Sequence, residues 1–188
     1  VASFTHPDVC EGNNVVLTST STVASGNISQ YLWDYNFPSS NTAGAQSVSN
    51  SYVVGTHNIQ LTIISNNGCR DSIVQSVTVQ PLPVANFVAD ALSGCEPLCV
   101  QFTNLSSVNG GTIANSSWSL GDNTNSSDTN PIKCYNDGTY TVALSVTSNF
   151  GCVASFTQFS YITVYPNPTA GIVANPNTTS ITQPNISF

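Results

Sequence analysis

Apolar and polar residues alternate along most of the chain with a period of two. Tyr31, Trp33, Tyr35 and Phe37 fall on one side of such a run. So do Ile59, Leu61 and Ile63, and later Tyr140, Val142, Leu144 and Val146. A period of two places successive side chains on opposite faces of a strand, and the aromatic and β-branched residues at the recurring positions suit a half-buried sheet. No window carries the i, i+3, i+4 stripe of an amphipathic helix. Turns are marked by Asn66-Asn67-Gly68, Asn109-Gly110-Gly111 and Asn136-Asp137-Gly138. The expectation is an all-β chain of short strands.

The alternation is written twice. Cys10-Glu11, Trp33, Tyr52, Gly55-Thr56, Gly68-Cys69 and Pro81-Leu82-Pro83 return as Cys95-Glu96, Trp118, Tyr135, Gly138-Thr139, Gly151-Cys152 and Pro166-Asn167-Pro168. Trp33 to Trp118 is 85 positions, and so is Cys10 to Cys95. A period this long predicts an array of small domains. Short strands, turn punctuation and one Trp per unit predict immunoglobulin-like antiparallel β-sandwiches with the Trp in the core. The expected units are residues 1–80 and 84–165. Two prolines in three residues favour an extended, stiff joint between them. Residues 169–188 restart the pattern: Ala170-x-Ile172 matches Ala85-x-Phe87, and Ile186-x-Phe188 matches Val100-x-Phe102. Two strands cannot bury a core. Either they begin a third unit that continues in a longer chain, or they form a tail that donates a strand to another subunit.

Units this small gain from cross-links. There are six cysteines. Their repeated places predict Cys10–Cys69 and Cys95–Cys152, one bond per unit. Cys99 and Cys134, found only in the second unit, are expected to pair with each other. Closing a loop of about 60 residues stabilises by roughly 4 kcal/mol in the chain-entropy model. Cys95-x3-Cys99 also resembles half a zinc site, although no second close pair follows it. Disulfides persist in oxidising surroundings, so the expected address is extracellular or at the cell surface.

Only Arg70 and Lys133 are basic, against nine acidic residues, for a net charge of −7. Nucleic acid is excluded as a partner, because little here neutralises phosphates. No apolar run approaches the ~20 residues of a spanning helix, so no membrane insertion is expected. The surface is kept wet by 27 Ser, 21 Thr and 22 Asn. Charged residues are 6%, which removes trypsin-type cleavage sites and lowers repulsion between molecules packed side by side. The chain opens directly on strand-like Val1-Ala2-Ser3-Phe4, as expected of a mature or excised segment.

Trp118-Ser119-Leu120-Gly121-Asp122-Asn123 resembles the W-x-F-G-D-G signature of PKD (polycystic kidney disease) domains. Asn130-Pro131, Tyr135 and Gly138-Thr139-Tyr140-Thr141-Val142 resemble that family's N-P … Y … G-x-Y-x-V segment. The first unit is more divergent: Trp33-Asp34-Tyr35-Asn36-Phe37 keeps the Trp and loses Gly-Asp, and His57 stands where Tyr140 stands. The Gly-Cys hairpin and the Pro-x-Pro-x-Ala boundaries are similar to PKD repeats of large secreted surface proteins of Bacteroidota. The resemblance implies tandem sandwiches outside the cell, serving as spacer, adhesive or filament modules. It implies no catalysis.

Candidate chemistry is sparse. His6 and His57 are the only histidines. His57 sits at a packing position, His6 in a loop, and no triad or metalloprotease motif surrounds either. Asp122, Asn123 and Asp128, with Asn125 between, form one oxygen-rich cluster. It reads either as a calcium loop, which some PKD domains have, or as turn chemistry, since Asp and Asn bond their own backbone. No other cofactor is indicated. Sequons begin at Asn27, Asn104, Asn115, Asn125, Asn177 and Asn185. Asp71-Ser72-Ile73 is similar to the O-glycosylation motif of Bacteroidota, with Ser72 as acceptor. The leading expectation is a non-catalytic array in a stalk, filament or surface adhesin, with neighbouring modules or identical subunits as partners. The alternative is an accessory region of a secreted hydrolase that holds polysaccharide, collagen or another surface protein.

Overall fold

The computed structural model describes residues 1–39 and 42–171. The expected third unit, residues 169–188, therefore lies outside the described residues apart from 169–171, as do Asn177 and Asn185. Among the described residues every regular element is a strand.

The first half contains β1 (Phe4–Thr5), β2 (Val9–Cys10), β3 (Asn14–Ser19), β4 (Ile28–Asp34), β5 (Thr42–Gly44), β6 (Ser47–Ser51), β7 (Gly55–Ser65) and β8 (Arg70–Gln80). They form a three-stranded sheet, β1-β3-β6, and a five-stranded sheet, β2-β8-β7-β4-β5. The second half repeats the plan with β9 (Phe87–Ala89), β10 (Ser93–Cys95), β11 (Leu98–Asn104), β12 (Ile113–Ser119), β13 (Asn125–Ser126), β14 (Ile132–Tyr135), β15 (Gly138–Ser148) and β16 (Val153–Tyr165). Its sheets are β9-β11-β14 and β10-β16-β15-β12-β13. Among the described residues all ladders are antiparallel except two. β2 runs parallel to the end of β8, and β10 parallel to the end of β16.

Alternation becomes burial in each half. Val15 and Leu17 from one sheet meet Ile59, Leu61, Val77 and Val79 from the other around Trp33. Val100 and Phe102 meet Val142, Leu144, Ile162 and Val164 around Trp118. Each such side chain contributes about 1.5–3 kcal/mol of transfer free energy. The two clusters share no residue. Phe4 meets Trp33 edge-on at 5.3 Å, and Phe87 meets Trp118 at 5.1 Å. Each indole N–H finds a carbonyl: Trp33 Nε1 donates to Ala45 O, and Trp118 Nε1 to Asp128 O. Both tryptophans are core residues, leaving no indole platform for sugars.

The expected inward run Tyr31-Trp33-Tyr35-Phe37 is shorter than its pattern. β4 stops at Asp34, and Phe37 is exposed. The buried Asp34 carboxylate accepts hydrogen bonds from Asn36 N–H, Ser39 N–H and Ser39 Oγ–H, which turn the chain away before Phe37 can face the core.

Candidate functional site

The feature most able to carry a function is the joint between the halves. Cys10 ends β2 beside the last residue of β8, and Glu11 N–H donates to Gln80 O at 2.8 Å. A tight turn follows, closed by Asn13 N–H on Cys10 O, with Gly12 at φ +84° where a side chain would be strained. Cys10 thus sits where the first sandwich hands the chain to Pro81-Leu82-Pro83. Cys152 sits in the hairpin between β15 and β16. There Ser148 N–H donates to Cys152 O, Gly151 N–H to Ser148 O, and Cys152 N–H to Ser148 Oγ. Asn149 ties the hairpin to its neighbour: its N–H donates to Thr112 O, and its Oδ1 accepts Thr112 N–H. A Cβ on Gly111 would stand 2.5 Å from that Oδ1, so the contact needs glycine.

Cys10 and Cys152 are bonded to each other, with Cα atoms 5.7 Å apart and 142 positions between them in sequence. The expected pairs Cys10–Cys69 and Cys95–Cys152 do not form, and Cys69 and Cys95 are exposed free thiols. The reason is strand length. Cys10 lies beside Gln80 and Cys69 directly precedes Arg70, so the whole of β8 separates them. Eleven residues of strand span roughly 36 Å at about 3.3 Å each, whereas disulfide Cα atoms stand within about 7 Å. β16 separates Cys95 from Cys152 in the same way. Cys99–Cys134 forms as expected, between residues directly opposite in the β11–β14 ladder. It closes a 35-residue separation, worth about 4 kcal/mol in the chain-entropy model. Cys10–Cys152 closes a loop that holds parts of both cores, and it ties the two halves to each other.

The oxygen-rich cluster resolves into separate partnerships. Asp122 Oδ2 pairs with Lys133 Nζ at 2.6 Å, and its other oxygen accepts from Thr124. Burial pushes this carboxyl up, but the bonds from Lys133 and Thr124 outweigh it and hold it below its ordinary value. Asp128 accepts instead from Ser126 Oγ–H. Asn123 takes a positive φ of 66°, as asparagine in a turn tolerates. Among the described residues no group of three His, Cys, Asp or Glu side chains could hold a metal.

His57 and Tyr140 prove equivalent. His57 Nε2 donates to Val53 O at 2.8 Å, and Tyr140 O–H donates to Asn136 O at 3.0 Å. Each ring lies on the tyrosine before it, Tyr52 or Tyr135. His6 stays in its loop beside Pro7. Asn27, Asn115, Asn125 and Ser72 are exposed. Asn104 is half-buried, and its amide N–H donates to Ser116 Oγ. Sequence reasoning missed one surface feature. β15 and β16 slip register between Tyr140↔Ile162 and Val142↔Gln158, and the bulge leaves Phe159 81% exposed.

Among the described residues no helix is long and apolar enough to cross a membrane. No curated protein sequence matches the chain. Among solved structures, the PKD1 domain of Vibrio anguillarum Epp is 30% identical, with a TM-score of 0.40, over 45% of this chain and 96% of that one. The PKD1 domain of the Vibrio cholerae metalloprotease PrtV is 32% identical, with a TM-score of 0.39, over 44% and 96%. The fibronectin(III)-like modules of Clostridium thermocellum CbhA are 14% identical, with a TM-score of 0.49, over 87% and 95%. The family model described as PKD domain matches residues 80–164. Through that stretch, which carries Trp118-Ser119-Leu120-Gly121-Asp122 and Gly138-Thr139-Tyr140, the chain belongs to the PKD domain family.

Proposed function

We propose that the chain is a non-catalytic structural stretch of a secreted or surface-bound protein. In this reading, PKD-type sandwiches over residues 1–80 and 84–165 stand in line as a tension-bearing spacer in a stalk, filament or adhesin. The Cys10–Cys152 bond carries the proposal. Pulled from Val1 and Asn167, the shortest covalent path runs from Val1 to Cys10, across the disulfide, and from Cys152 to Asn167. Those residues, about 26, reach at most roughly 90 Å at ~3.6 Å each. Residues 11–151 lie off the path, so most of each core is spared the load, and only Ala2 and Phe4 of the first and Ile162 and Val164 of the second lie on it. Two disulfides also support an oxidising, extracellular address.

Single-molecule pulling between Val1 and Asn167 tests this. The oxidised chain should stop near that ~90 Å limit. Cys10→Ser, with Cys99–Cys134 intact, opens a path of about 130 residues and should extend to roughly 480 Å. Equal extension of the two proteins sinks the reading. Small-angle scattering should also show an elongated particle; a compact one argues against modules in line.

A binding role is the second reading, favoured by exposed Phe159 on a bulge that only the second sandwich has. One similar PKD domain belongs to a metalloprotease, which fits an accessory module. Retention on insoluble polysaccharide or collagen, lost in Phe159→Ser, would support it; no retention of the parent chain removes it.

A further inference from the structure

The two free thiols occupy stations that the molecule has already used once. Cys69 is built into the same hairpin as Cys152. Ser65 N–H donates to Cys69 O, Gly68 N–H to Ser65 O, and Cys69 N–H to Ser65 Oγ. Asn66 ties that hairpin to Asn27 as Asn149 ties its own to Thr112. Cys95 is held as Cys10 is, at the end of a short strand running parallel to the last strand of its sandwich. Glu96 N–H donates to Tyr165 O at 3.0 Å, as Glu11 N–H does to Gln80 O. The difference is cover. Cys152 is 1% exposed, whereas Cys69 and Cys95 are open.

The entry points match too. Thr22 N–H donates to Val1 O at the Cys69 end, as Ser107 N–H donates to Val84 O where the chain enters the second sandwich. Beside Cys69 opens a cavity of about 350 Å3, lined by Val1, Val23, Ala24, Ile63 and Asp71. The Cys10–Cys152 contact is heterologous, with two different faces meeting. A heterologous contact leaves one copy of each face free at the ends and can propagate along a line.

We propose that Cys69 and Cys95 are the two halves of a repeating inter-module disulfide. Cys95 takes the Cys69-type hairpin cysteine of the next module, and Cys69 takes the Cys95-type cysteine of the module before. The partner is another module of this build, on the same polypeptide or on a second copy of this chain. The oxidant is a low-molecular-weight disulfide. A Cys69 thiolate attacks it and releases one small thiol. The Cys95 thiolate of the other module then attacks the Cys69 sulfur and releases the second. One S–S bond forms, one is reduced to two thiols, and two electrons pass to the small disulfide. The inference rests on the in-line reading above and extends it. Once Cys69 is bonded, load entering there leaves along β8, a strand already extended.

The test uses the full chain in a glutathione redox buffer. Cys69→Ser and Cys95→Ser each keep one of these thiols, at opposite ends. Mixed, they should give a dimer joined by Cys95–Cys69, mapped by mass spectrometry on unreduced peptides, well above the half of all dimers that random pairing yields. A second arm joins two full chains in one polypeptide and asks whether Cys95 of the first copy bonds Cys69 of the second. The bond in the mixture assigns the partner to separate chains; the bond only in the joined protein assigns it to one polypeptide. Glutathione-capped or free thiols in both arms, or random pairing of Cys69 and Cys95, overturn the proposal. If scattering still shows an elongated particle with Cys10–Cys152 intact, only this inference falls; a compact particle removes the in-line reading itself.

Discussion

The two sandwiches close the same corner by different means. In the second, Gly121 follows Leu120 at φ +88°, and a Cβ there would stand 2.6 Å from Thr141 O. That close approach presents Leu120 O to the buried hydroxyl of Tyr135, which donates to it at 2.9 Å. Burial, helped by the Asp122 charge, pushes the Tyr135 phenol above its ordinary value. Lys133 and the Cys99–Cys134 bond brace the neighbouring strand. The first sandwich has Asn36 where Gly121 stands, and among the described residues the buried hydroxyl of Tyr52, the counterpart of Tyr135, makes no well-formed hydrogen bond, the Asn50 side chain being a weak neighbour in place of a carbonyl like Leu120 O. Its loop hangs on the Asp34 carboxylate instead. The family signature is therefore one local solution for a corner. The sandwich stands without it, and the family match covers residues 80–164, the half that has it.

Four experiments can break or sharpen this contrast. The largest effect belongs to Cys99→Ser with Cys134→Ser. It should cost the second sandwich about 4 kcal/mol in the chain-entropy model, and the first none. Calorimetry should show one transition moving and the other staying; a shift in both would mean that the halves unfold as one unit.

Gly121→Ala should cost about 3 kcal/mol, from a disfavoured backbone conformation and a contact with the Thr141 backbone that cannot give. Asn36→Ala, at the equivalent place without a positive φ, should stay within about 0.5 kcal/mol. Denaturant midpoints check both, and equal costs would end the contrast. The tyrosine pair should differ in sign. Tyr135→Phe leaves Leu120 O unpaired and should cost about 1–2 kcal/mol, while Tyr52→Phe removes an unsatisfied buried hydroxyl and should be neutral or stabilising by up to about 1 kcal/mol. Loss of stability in Tyr52→Phe would show that its hydroxyl has a partner.

Acid sensitivity is the smallest effect. Burial raises Asp34, but the bonds from Ser39 and Asn36 outweigh it and leave its carboxyl below the ordinary value; Asp122 is lowered likewise. A carboxyl lowered by folding stabilises above its unfolded pKa, and that contribution fades as pH falls through the folded value. Each sandwich should lose stability below the ordinary carboxylate range. Asp34→Asn should flatten the loss in the first transition only, followed by circular dichroism between pH 5 and the acid limit. An unchanged slope would remove Asp34 from the account.

The legible part of the sequence was the local part. Alternation at Ile59-Leu61-Ile63 and Val142-Leu144-Val146 specifies which face of a strand is buried, because side-chain direction is set by the neighbouring residues of the same strand. Trp33 and Trp118 could be placed in cores because a sandwich of this kind buries one Trp per unit. Cys99 with Cys134 was legible because only the second unit has them. The paired carboxylates were ambiguous, since an Asp in a turn carries the same sequence signal whether its partner is Lys133, Ser126 or a metal.

The tertiary structure alone decided the rest. Matching positions suggested that Cys10 and Cys69 belong together, yet similarity between repeats says which residues are equivalent, not which are near. Nearness depended on β8 running the length of its sheet, on β2 lying parallel to its far end, and on the end of one sandwich facing the hairpin of the next. Such contacts join residues distant along the chain, so no pattern within one strand records them. That is why Cys10 meets Cys152 across 142 positions, and why Cys69 and Cys95 are left as free, exposed thiols.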